Sequence, residues 1–156
     1  MRHWMICGLL SGGMFLAFAY AAAAHEDADK LPPGPIRDRH ELMEKIGDHA
    51  EKIGLALKTK DNDEVVPNAE AIAEAAKKIP ALFPPGSTNP HSRAKPEIWA
   101  NWKQFEETAA KLHVDAIALA KAAREDIDEG VASASRTMFG DCKSCHQNFR
   151  VPKEGE

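Results

Sequence analysis

Two thiols and an imidazole stand together near the C-terminus, in the run Cys142-Lys143-Ser144-Cys145-His146. Thiols at this spacing on a helical segment can each add across one vinyl group of a haem, delivering the adjacent imidazole to the iron. The run therefore matches the attachment pattern of a c-type haem. Other uses of the same residues make further demands. A zinc site needs four ligands, of which the run supplies at most three, and His40, His49, His91 and His113 are not paired at ligand spacing. A dithiol oxidoreductase sets its CxxC in a strand-and-helix context that this chain lacks. A disulfide closing two residues constrains almost nothing. One covalent haem c is the cofactor these residues favour.

The elements that must position such a group follow from apolar spacing. Met43, Ile46, Ala50, Ile53 and Leu57 fall at steps of three and four, the face of a first helix. Val65, Ala69, Ile72, Ala76 and Ile79 repeat that spacing in a second helix, stopped by Pro80. Pro80 to Pro96 holds five prolines and a glycine and reads as a long loop without regular structure. A third helix, opened by Pro96 and Glu97, runs unbroken through Ile98, Trp102, Phe105, Ala109, Leu112, Ala116, Leu119 and Ala123. A fourth follows, with Asp126 and Glu129 as a capping box and Ile127, Val131, Ala134, Met138, Cys142, Cys145 and Phe149 on its inner face. Nothing alternates as a strand would. The fold class is all-α, an antiparallel four-helix bundle with a proline-rich crossing loop.

The chain has 156 residues. Arg2 and His3 precede an apolar run from Trp4 to Ala19, which leads into Ala21, Ala22, Ala23 and Ala24. Residues 1–24 therefore read as a cleaved signal peptide, residues 25–35 as a charged, proline-rich arm, and residues 36–152 as the bundle. The competing reading of the first segment is an uncleaved anchor. Removing 24 of 156 residues leaves 132, a single ordinary domain. Arg2 is the only charged residue lost, so 19 Lys and Arg face 24 Asp and Glu, a net charge of −5. That balance gives no support to nucleic-acid binding, which needs a basic footprint. Export implies a periplasmic location with no membrane insertion after cleavage. The exported part has no tyrosine and six Trp or Phe, with alanine at many inward positions. Such side chains bury little area, so a large apolar cofactor is expected to complete the core.

The haem motif lies within a dozen residues of the C-terminus and is followed by Gln147-Asn148-Phe149-Arg150. With Arg39-His40-Glu41-Leu42-Met43, Pro80-Ala81-Leu82-Phe83-Pro84-Pro85-Gly86 and Lys95-Pro96-Glu97-Ile98-Trp99, the chain resembles class II c-type cytochromes, the cytochrome c′ family. The resemblance implies that the residue four after the first-helix arginine faces the iron opposite His146, and here that residue is Met43. A non-ligating residue there marks the five-coordinate members, which bind small gases such as nitric oxide or carbon monoxide. A ligating methionine marks a six-coordinate, low-spin branch that carries electrons. Met138, the other methionine of the exported part, shares a helix with His146, which leaves Met43 as the methionine placed for the far side. Thioether ligation raises the reduction potential and suits electron transfer. Alternatively, Met43 merely packs on the haem.

The resemblance further implies that Arg39 pairs with a haem propionate, that Arg150 lies beside the proximal imidazole or a propionate, and that Phe83, Trp99 and Phe149 contact the haem. The expected function is periplasmic electron transfer between redox partner proteins, without catalysis. Gas binding is the alternative. A homodimer through the first and second helices is compatible with the family.

Overall fold

The computed structural model describes residues 30–152. The expected signal peptide, residues 1–24, lies outside the described residues, as do the first five residues of the arm and residues 153–156.

Helix α1 spans Pro35–Thr59, with proline in its first turn, where a missing N–H costs nothing. It ends at Lys60 in the left-handed region (φ 57°), whose N–H returns to Ala56 O. Asp61 then caps α2 (Asn62–Ala76), accepting from Glu64 N at 3.1 Å. Beyond Pro80 the loop contains one 3₁₀ turn, Pro80–Leu82. The expectation of no regular structure there is thus corrected: proline presets φ for a tight turn as readily as it ends a helix.

The third helix is also divided. Short α3 (Glu97–Ala100) and long α4 (Trp102–Arg124) are separated by Asn101, whose φ of −122° and ψ of 46° interrupt the helix. Apolar spacing alone runs through such a break, because Ile98 still faces inward, at 1% exposed. Helix α5 spans Asp128–Phe149. Its expected capping box does not form. Ile127 takes the cap position without a side-chain bond, and Asp126 Oδ1 instead accepts from Asn62 Nδ2 across the turn at 2.6 Å. Ile127 is exposed rather than inward.

The four long helices make the bundle, with α1 packed on α2, α2 on α4 and α4 on α5. The α2–α4 contact is the most extensive, and its inner faces carry Ala69, Ala73 and Ala76 against Ala109, Ala116 and Ala120, all buried. Small side chains let these two helices approach closely and close-pack. Much of the alanine that looked like missing core is therefore the contact surface of a tight helix pair.

Among the described residues, α1 and α5 make little direct contact along the seam between them. One end of that seam is crossed by the proline-rich loop. Its 3₁₀ turn packs on α1 and α4, and α3 packs on α4 and α5.

Candidate functional site

Helix α5 remains helical through Cys142 and Cys145, which puts the two thiols three residues apart on one face. Side chains at that spacing have Cβ atoms about 5–6 Å apart. A disulfide needs about 3.5–4.5 Å. Both cysteines are free and half-buried against the core. Burial raises the pKa of each thiol, aided by Asp141 at Cys142 and by Cys142 at Cys145, and Cys145 is pushed up to about 11. The helix therefore presents two neutral, nucleophile-poor thiols to an apolar surface. His146 follows one turn after Cys142, on the same side of the helix.

The end of α5 is fastened to the loop. Ala94 and Arg150 form an isolated antiparallel bridge, with Lys95 N donating to Phe149 O at 3.0 Å and Val151 N to Arg93 O at 2.8 Å. Lys95 Nζ adds a bond to Gln147 O at 2.7 Å. These bonds position the last turn of α5, which carries His146. Arg150 lies near enough to Cys145 to offset part of its upward pKa shift.

On α1, Arg39 is 6% exposed and its guanidinium reaches into the loop. It donates to Ser87 Oγ at 2.9 Å, Ser87 O at 2.7 Å and Ser92 Oγ at 2.6 Å, and its carbon lies 4.6 Å from the Phe83 ring centroid. Gly86, at φ 76°, supplies the left-handed residue that turns the chain into Ser87. Among the described residues, the bonded partners of Arg39 are neutral oxygens, and burial lowers its pKa. A buried cation without a carboxylate partner is a place where an anion binds favourably. One turn along α1, Met43 is half-buried and packs against the core. His40 Nδ1 sits 3.4 Å from Glu44 Oε1.

The loop and α3 bring aromatic rings to the same end. Phe83 and Phe149 each meet Phe105 of α4 edge to face, at 4.9 and 5.3 Å between centroids. Trp99 Nε1 donates to Phe83 O at 3.0 Å, so the indole is tied to the loop while remaining half-buried. The expected residues Phe83, Trp99 and Phe149 are thus brought together, joined by Phe105. Sequence reading placed Phe105 on a core stripe but not at the centre of this cluster. It also passed over Ser87 and Ser92, because serine in a loop carries no periodic signal.

A haem needs thiols for its vinyl groups, apolar faces for its rings and cations for its propionates. Half-buried apolar side chains stand on both helices that flank the seam, Leu42, Met43 and Leu57 on α1 and Phe139, Cys142 and Cys145 on α5, each packed against the core. A planar apolar group with anionic edges matches this set: the thiols for its vinyl carbons, the apolar faces for its rings and Arg39 for a carboxylate. The residues present fit the group.

Fold and site together define a c-type haem protein built on a helical bundle. The model of the family described as Cytochrome C′ matches residues 34–150, and the chain belongs to that family. Among curated relatives, "Cytochrome c-556" of Agrobacterium tumefaciens (strain B2A) is 36% identical over 124 residues, covering 77% of this chain and 99% of the relative. "Cytochrome c′" of Rhodopseudomonas palustris is also 36% identical over 124 residues, covering 76% and 82%. Among solved structures, cytochrome c′ from Thermochromatium tepidum superposes with a TM-score of 0.69 at 31% identity, covering 76% of this chain and 95% of that one.

Proposed function

We propose that the chain is a periplasmic electron carrier with one haem c, joined by thioethers to Cys142 and Cys145 and ligated by His146 and Met43. Residues 1–24 direct export and are cleaved, and the partners are one-electron redox proteins. The observation that supports this reading is Met43: a thioether half-buried against the core, one turn along α1 from the loop-clamping Arg39. A bound haem supplies a one-electron couple there. Arg39 holds the loop and answers a propionate. Phe83, Trp99 and Phe149 keep water from the ring, and Arg150 lies beside the proximal side. Among the described residues no helix is long and apolar enough to cross a membrane.

The second reading, five-coordinate gas binding, is favoured by the relatives named cytochrome c′ as much as the first is by those named cytochrome c-556. It is also favoured by the incomplete burial of Met43. Absorption spectra of holoprotein from a host with a cytochrome assembly system separate the two. A low-spin spectrum with a near-infrared methionine-to-iron band, unchanged by carbon monoxide, is expected for the carrier. A high-spin spectrum that shifts on adding the gas sinks that reading in favour of the second.

A further inference from the structure

Asp141 directly precedes the first thiol, yet its side chain is directed to α4. That side chain is 9% exposed, and its Oδ1 accepts from Lys111 Nζ at 2.6 Å. Its Oδ2 is buried without a hydrogen-bond partner. The same ammonium holds Asp115 Oδ2 at 2.5 Å. The Asp115 side chain is 21% exposed and that of Lys111 56%, so the buried carboxyl is connected to solvent through a partly exposed one. From α4 these two groups face Asp141, and on its own helix the neighbouring titratable group is the Cys142 thiol.

Two carboxylates around one ammonium leave an excess negative charge, and one of their oxygens is buried and unsatisfied. Such an atom costs free energy until it gains a donor. A proton on Asp141 removes the excess charge. Burial raises its pKa first, the Asp115 carboxylate adds to the rise, and Lys111 opposes it.

We propose that Asp141, linked to Asp115 through Lys111, is a redox-linked proton site for the haem anchored at the adjacent Cys142. Asp141 takes up one proton from solvent when the iron accepts one electron from a protein donor, and returns it when the iron is reoxidised. Electron and proton balance one for one, leaving the local charge unchanged. The physical coupling is Coulombic: an added negative charge in a low-dielectric interior raises the proton affinity of a nearby carboxylate. By reciprocity, ionising Asp141 lowers the reduction potential. The inference rests on the haem reading above.

The test is the reduction potential of the holoprotein, followed spectroelectrochemically from about pH 4 to about pH 9, a range reaching well above the ordinary aspartate pKa. The wild-type potential is expected to fall as pH rises through one window. Asp141→Asn removes that step and holds the potential at the wild-type low-pH level. Asp115→Asn moves the window to lower pH, because a like charge has gone. A tenfold difference in proton affinity between oxidation states separates the plateaus by 59 mV. Reduction-induced infrared spectra should gain a protonated-carboxyl band that Asp141→Asn lacks. If the Asp141→Asn potential tracks wild type at every pH and the spectra match, the inference is overturned while the haem reading stands. If the wild-type chain carries no covalent haem, the underlying reading falls and this one with it.

Discussion

Met43 differs from a leucine by little in volume but by a sulfur lone pair, and in this reading that difference chooses between two functions. Replacing it by leucine conserves packing, for which swaps of this kind cost less than about 1.5 kcal/mol. Met43→Leu should therefore fold and bind haem while turning high-spin and reactive to carbon monoxide. A variant that stays low-spin assigns the sixth ligand elsewhere. The thiols make a second prediction at this scale. In the haem-free chain Cys145 is raised from its ordinary value of 9.0 to about 11, chiefly by burial, so its thiolate is scarce at neutral pH. The folded chain holds this proton more tightly than the unfolded one, so the associated stability is present below pH 9 and is lost as pH rises toward 11. Alkylation followed by mass spectrometry should show Cys145 reacting slowly until that range. Fast labelling at pH 8 contradicts the burial.

Among the elements, the loop between α2 and α3 does more than connect. Arg39 pins it to α1, the Ala94–Arg150 bridge pins its far end to α5, and Phe105 of α4 lies beneath it between Phe83 and Phe149. Phe105 is 2% exposed, and edge-to-face ring pairs add about 0.5–1.5 kcal/mol each to the gain from burial. Phe105→Ala should cost about 3–5 kcal/mol in denaturant unfolding of the holoprotein. It should also leave the haem more exposed to added ligands. A loss below about 1 kcal/mol would show that the three rings are not one packed unit.

For the molecule as a whole, three of the four neighbouring helix pairs are in extensive contact, and in the proposed reading the haem completes the fourth, between α1 and α5. The haem-free chain should therefore unfold with a smaller denaturant slope than the holoprotein, since it buries less surface in the native state. Equal slopes and midpoints would mean that the α1–α5 seam closes without the group. The net charge of −5 expected after signal removal keeps such a chain soluble but says nothing of fold.

The sequence by itself determined the local facts. The spacing of Cys142, Cys145 and His146 names the chemistry, and apolar periodicity places four helices with their inner faces, because both depend only on residues a turn or two apart. Tertiary structure alone decided the rest. Asn101 breaks a stripe that looks continuous, and Asp126 bonds Asn62 instead of capping its own helix. Alanine closes the α2–α4 pair rather than making room throughout the core. Asp141 finds Lys111 and Asp115, 30 and 26 positions away in the chain. Each of these outcomes is settled by partners that periodicity cannot see, since burial and ion pairing depend on which helix lies opposite and how near it comes.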